Sequence, residues 1–338
     1  MLRASAVGPS RNYSAASPLL LFFASPFSTT ASATASSVAS TVPNRFAMSR
    51  PLRIAVVGDV HDYWELEEDS KALHFLQVIL EMRMLNLLEA FQVLSFQKQQ
   101  FWGTMIAGLL KSFQRNEHVG YCRLDFPMLK LCVLGGRPFS CGGDRLFRPK
   151  LLSSRYGVSD MEQSAKKIYE AALGTPEGHS VIVLAHNGPT GLGSKVSDIC
   201  GRDWIFGGGD HGDPDLAQAI SDLQRDTQIP IPLVIFGHMH KALAYGNGLR
   251  KMIAVGADNT IYLNAAIVPR VKHILVNGSG SSMEEQNQFE TSENGTVRAF
   301  TIVEFLDGQV EKIMETWVLV AGEKIELDHE NITEDSDG

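Results

Sequence analysis

Three times along this chain a short, uninterrupted apolar run ends on a side chain able to bind a metal. Ile54-Ala55-Val56-Val57 runs into Gly58-Asp59-Val60-His61, Val181 to Ala185 into His186-Asn187-Gly188-Pro189, and Leu233 to Phe236 into Gly237-His238-Met239-His240. Runs of this kind read as strands buried on both faces. In an open α/β sheet ligands sit beyond the carboxyl ends of the strands, which is where these residues emerge. An Asp oxygen and an imidazole two residues apart can grip one divalent metal. In extended chain the two imidazoles of His238-x-His240 point to opposite sides and suit two adjacent metals better than one. Taken alone, Asp59-x-His61 reads as a solvated loop pair, and His186 equally as a core histidine bonded to backbone. Their recurrence in one chain turns the reading toward a metal site.

The frame around these strands is that of a globular protein. A chain of 338 residues can bury a core in one large domain or two small ones. The net charge of −8 argues against nucleic acid or an anionic membrane as partner. Cys122, Cys132, Cys141 and Cys200 show no Cys-x-x-Cys spacing, which suggests a reducing compartment and buried or inert thiols. Residues 1–52 differ in kind: rich in Ser, Ala and Thr, with no Asp or Glu before Asp59 and no Lys before Lys71. That is the composition of a disordered transit peptide, for a chloroplast or, as the alternative, a mitochondrion. Leu19 to Phe23 could instead be a short secretory apolar region, too short to span a bilayer. A start at Met48 would leave the protein in the cytosol.

The expected globular domain runs over 53–320. Trp64 to Gln77 opens acidic and carries Leu66, Leu73, Phe75 and Leu76, as a helix after the first strand would. Leu129 to Leu134 reads as a strand, and Asp160 to Leu173 as an amphipathic helix. The loop Gly207 to Asp213 leads through Asp213-Pro214, an N-cap pattern, into a helix ending near Gln224. Asp210, His211 and Asp213 read either as contacts to a substrate or metal, or simply as members of a capped loop. Met252 to Val255 and Thr260 to Leu263 are short strand candidates. Residues 277–294 read as a flexible loop. Val297 to Phe305 and Val310 to Val318 form a hairpin around Asp307-Gly308. The acidic end, 321–338, reads as a disordered tail.

The order Gly58-Asp59-x-His61, His186, Gly237-His238-x-His240 resembles the calcineurin-like metallophosphoesterase superfamily, and more closely a branch found in plants and cyanobacteria. The resemblance covers residues 53 to 275 apart from 78 to 115. It implies an α/β fold of two packed β-sheets flanked by helices, a four-layer sandwich. It also implies two divalent metal ions (Fe, Mn or Zn), with Asp59, His61 and His240 on the first and His186 and His238 on the second. Between them a bridging water would become hydroxide and attack a phosphate ester, either a small phosphoester or a phosphoprotein. The oligomeric state stays open. The family's Gly-Asp box, whose Asp bridges the metals, and its Gly-Asn-His-Asp/Glu box are absent between the first strand and His186. Two readings follow: a metal-dependent phosphoesterase, or a catalytically dead splice or gene-model variant that keeps the scaffold and a partial metal site. A nucleotide-binding reading has no G-x-G-x-x-G after the first strand to rest on.

Residues 78–115 account for the missing boxes if they are read one base earlier. With suitable synonymous codons, Val78 to Asn86 then becomes Gly-Asp-Phe-Gly-Asn-Glu-Asn-Val-Glu, which contains the first box. In the same frame Phe101 to Ile106 shifts to Leu-Gly, two residues each drawn from Asn, Asp, His or Tyr, then Asp. Leu, Gly and Asp are forced by the genetic code, and Asn-His is among the allowed pairs. The normal frame returns near Asn116. The chain as written would lose two core strands with these ligands, and 85–96 would form at most a loose helix.

Overall fold

The structure is a computed structural model that describes residues 20–24, 51–58, 65–81, 93–95, 116–276 and 293–332. It is a mixed α/β protein with two β-sheets. The first sheet is organised about β2 (Leu52–Val57), the strand expected from the first apolar run. On one side β2 pairs antiparallel with β12 (Glu293–Leu306), which pairs in turn with β11 (Val271–Val276) and β13 (Gln309–Ala321). The hairpin between β12 and β13 turns on Asp307 and Gly308 at φ 50° and 81°. Positive φ at both positions gives the tight turn whose twist suits two strands.

Three segments of this sheet depart from the sequence reading. Lys324–Ile332, expected in the disordered tail, is the edge strand β14 on β13. Its charges hid an alternation: Ile325 and Leu327 are separated by Glu326 and flanked by Lys324 and Asp328, the pattern of a charged, half-exposed edge strand. Leu20–Ala24, inside the expected disordered leader, is β1 and pairs antiparallel with β2 from Leu20 opposite Val57 to Ala24 opposite Arg53. A strand buried in the core needs backbone partners on both sides, and an acid-free apolar segment supplies them without further specificity. Val93–Ser95, expected at most as loose helix, is β3, joined to β1 and to β4 (Asn116–His118).

The second sheet has the order β5 (Arg123–Phe126), β6 (Leu131–Gly135), β7 (Ser180–Leu184), β8 (Leu233–Phe236), β10 (Ile261–Asn264), β9 (Ile253–Val255). Strands β6, β7, β8 and β10 are parallel; β5 and β9 close the edges antiparallel. The central strands are buried along their whole length, as continuous apolar runs require. Ile54, Val56 and Val303 of the first sheet pack on Val133, Ile182 and Ile235 of the second, so the sheets stack face to face. The outer face of the second sheet is covered by α2 (Pro149–Tyr156), α3 (Met161–Ala172) and α4 (Pro214–Asp226). The outer face of the first is covered by α1 (Leu66–Glu81) through Ala72, Leu73 and Leu76. Each fully buried Leu, Ile or Val in these layers contributes about 1.5–3 kcal/mol.

Two details set the helix positions. Asp160 caps α3 by accepting the Gln163 amide at 2.8 Å. Arg298 on β12 is fully buried and holds the start of α1 through Asp69 at 2.7 Å, Glu65 at 2.9 Å, and Glu68. Arg270 pairs with the other oxygen of Asp69. The thiols are free; Cys132 and Cys200 are buried, Cys141 is half-buried and Cys122 is exposed. Among the described residues no helix is long and apolar enough to cross a membrane.

Candidate functional site

Because β6, β7, β8 and β10 run parallel, their carboxyl ends share one edge of the second sheet. Backbone bonds continue past the strand ends: Gly136 N–H to Leu184 O at 2.8 Å, Gly237 N–H to His186 O at 3.1 Å, and Ala265 N–H to Phe236 O at 2.7 Å. The end of β2 arrives at the same edge. A Cβ placed on Gly58 would stand 2.6 Å from the Ala265 carbonyl oxygen, so only glycine lets the two sheets approach there. Asp59 and His61, the next residues of interest, lie outside the described residues.

His186 and His238 come together at this edge. His186 is buried, and its Nε2 stands 3.2 Å from His238 Nδ1. The sequence reading assumed extended chain at His238-x-His240. Instead, His238 has φ 71°, and the Met239 amide donates to the Gly237 carbonyl at 2.8 Å. This is a three-residue turn of a rare and strained kind, and it removes the two-residue alternation on which the opposite-sides expectation rested. Buried Asn264 holds the turn, donating to the Met239 carbonyl and accepting the Ala266 amide at 3.0 Å. His240 is half-buried, and its carbonyl accepts a bond from Arg250 Nε at 3.0 Å.

His211 joins the pair from the glycine-rich loop. Its ring stacks on His238 with centroids 6.1 Å apart, and Trp204 meets it edge-on at 4.9 Å. His211 Nε2 lies 2.6 Å from the Cys141 carbonyl, which accepts only if that nitrogen carries the proton; Nδ1 is then left with its lone pair. Burial lowers the His211 pKa, opposed by the Cys141 bond and reinforced by the charge of Arg202. Asp210 is spent on the loop itself, accepting from Thr190 Oγ1 at 2.9 Å and from the Gly212 amide at 2.8 Å.

Asp213 occupies the N-cap position of α4 but makes no capping bond with its side chain. Its carboxylate is drawn inward to Arg137 at 2.8 Å and Ser140 at 2.6 Å. Arg137 Nε also stands 3.0 Å from Asp215, so one buried guanidinium faces two buried carboxylates. Burial pushes the Asp213 pKa up to about 7, helped by Asp215 and opposed by Arg137, Ser140 and Asn187. Asn187 links this network to the histidines by donating to the His211 carbonyl at 2.7 Å. Sequence reasoning did not single out Arg137, Asn187 or Asn264. Arg137 and Asn187 follow strand ends and Asn264 closes β10, which was the available signal, but an Arg or Asn there has no distinctive spacing.

His186 and His238 stand at hydrogen-bond distance from one another, a separation that a shared divalent ion would also impose. Two imidazole nitrogens on one tetrahedral ion, each about 2.0–2.1 Å from it, stand about 3.3 Å apart; the observed 3.2 Å is close to that. Among the described residues no group of three or more His, Cys, Asp or Glu side chains is gathered closely enough to hold a metal ion. The fold and the cluster thus define a mixed α/β protein with two packed sheets and histidines meeting at the strand ends. No family model, curated protein or solved structure matches the chain.

Proposed function

We propose that this chain carries the scaffold and part of the metal site of a metal-dependent phosphoesterase of the calcineurin-like type. The observation that carries the reading is the convergence of His186 Nε2 and His238 Nδ1 at 3.2 Å, from adjacent parallel strands. The end of β2, which leads into Asp59 and His61, meets the same edge. In this reading Asp59, His61 and His240 hold one divalent ion and His186 and His238 a second. Bound there, such ions polarise phosphoryl oxygens and acidify water. The protein's own part is to fix the imidazoles: Asn264 sets the His238 turn, and Arg250 anchors the backbone at His240. The substrate is a small phosphoester or a phosphoprotein, and the leader directs the chain to plastids.

A second reading is favoured by residues 78–115, where the Gly-Asp and Gly-Asn-His boxes are missing in this frame and recoverable in another. In that case the chain is the inactive product of an altered junction, and its in-frame sibling is the enzyme. Metal analysis of the purified chain, with a generic aryl phosphate assay, separates the two. Two metals per chain with turnover supports the enzyme. At most one metal and no turnover supports the inactive variant. His238→Ala should lower the metal content in either case; unchanged content would remove His238 from the site.

A further inference from the structure

Arg202 and Trp204 lie on one loop beside the histidine cluster, and the reading above gives neither a role. The loop base is a short ladder in which the Arg202 amide donates to the Gly209 carbonyl at 2.9 Å. A Cβ on Gly209, which has φ 109°, would fall 2.5 Å from Arg202 Nη2, so the guanidinium lies in space that only glycine leaves open. Arg202 Nε is buried and has no hydrogen-bond partner, and among the described residues no carboxylate pairs with the side chain. A guanidinium without a carboxylate partner gains when an anionic acceptor reaches its open edge.

Trp204 adds an apolar surface to the same place. Its ring is edge-on to His211 at 4.9 Å yet remains 39% exposed, and the neighbouring Phe206 is fully exposed. These side chains stand on a rigid base. Asp203 accepts the Ala244 amide at 2.7 Å and pairs with Arg250 at 3.2 Å. Arg250, itself buried, donates to the carbonyls of Gly201 at 2.6 Å, Asp198 at 2.9 Å and His240 at 3.0 Å. One buried arginine thus ties the aromatic loop to the His-x-His turn.

We propose that Arg202 binds the phosphoryl oxygens of the substrate and that Trp204, with Phe206, receives its organic part, so that the ligand is a phosphomonoester of a planar aromatic group. The proposal rests on the phosphoesterase reading and adds the substrate class to it. A guanidinium fork matches phosphate oxygens in geometry as well as charge, and an aromatic platform takes a planar group by stacking. Calorimetric titration of the full chain with phenyl phosphate, glycerol phosphate and inorganic phosphate tests it. The wild type should prefer phenyl phosphate to glycerol phosphate by about fivefold or more. Arg202→Gln should weaken both phenyl phosphate and inorganic phosphate by about tenfold. Arg202→Lys, which keeps the charge and the stem, should weaken them less, and it serves as the variant to compare if Arg202→Gln does not fold. Trp204→Ala should remove the aromatic preference and leave inorganic phosphate unchanged. The proposal is overturned if the wild type binds none of the three, if Arg202→Gln and Arg202→Lys bind as the wild type does, or if Trp204→Ala keeps the preference. Turnover of phenyl phosphate is scored separately. Binding that depends on Arg202 without turnover leaves the proposal standing and removes the catalytic reading. Turnover with an unchanged KM in Arg202→Gln does the reverse.

Discussion

At Asp213 two demands on one carboxylate meet. Its position before Pro214 suits a helix cap, yet the side chain turns inward to Arg137 and Ser140. The structure decides for the buried network because Arg137, itself almost wholly buried, has no water to bond and needs protein acceptors. The consequence is a testable pH dependence. The folded pKa of Asp213 is raised to about 7 from an ordinary value of 3.8. Between those values the folded state binds more protons than the unfolded one, so stability falls with rising pH. The contribution is full below about pH 4 and lost as pH rises through about 7. The melting temperature of the wild type minus that of Asp213→Asn should therefore decline from pH 4 to pH 8. A difference constant with pH would mean that Asp213 is ionised throughout.

Among the elements, α1 shows how a helix is placed by charge as well as by its apolar stripe. Leu73 and Leu76 face the first sheet, as the apolar positions of the sequence suggested. What the sequence did not show is that Glu65, Glu68 and Asp69, read as a generic acidic helix start, converge on the buried Arg298 contributed by β12. The partners are more than 200 positions apart in the chain, so no local pattern joins them. Replacing Arg298 with Leu leaves the buried Asp69 dependent on Arg270 alone and should cost about 3–5 kcal/mol. Urea denaturation would measure it; a loss below about 1 kcal/mol, the worth of an exposed ion pair, would deny the cluster this role. The strand β14 makes the same point in reverse. Its alternation was present in the sequence, but a surplus of acid outweighed it until β13 was seen to offer an edge.

For the molecule as a whole, the N-terminal segment carries two opposed readings. Its composition fits an address that must stay unfolded, whereas the structure uses Leu20–Ala24 to cover the side of β2 opposite β12. A chain beginning at Met48 should then expose the β2 edge, melt at lower temperature than the full chain, and self-associate through the bare strand. Melting curves and light scattering on the two chains would show it. Equal stability and a monodisperse short chain would mean that β1 contributes nothing to the fold.

The sequence by itself determined the strands that deliver His186 and His238, the helices after residues 65, 160 and 213, and the hairpin at Asp307-Gly308. Each is written in local periodicity, glycine placement or turn chemistry within a few residues. Only the tertiary structure decided which side chains share a space. His211 sits beside His238 because a run of glycines with positive φ folds its loop back over the strand ends, and Arg137 meets Asp213 because parallel strands end on one edge. Such meetings depend on burial and on partners distant in the chain. Neither quantity is carried by the residues on either side.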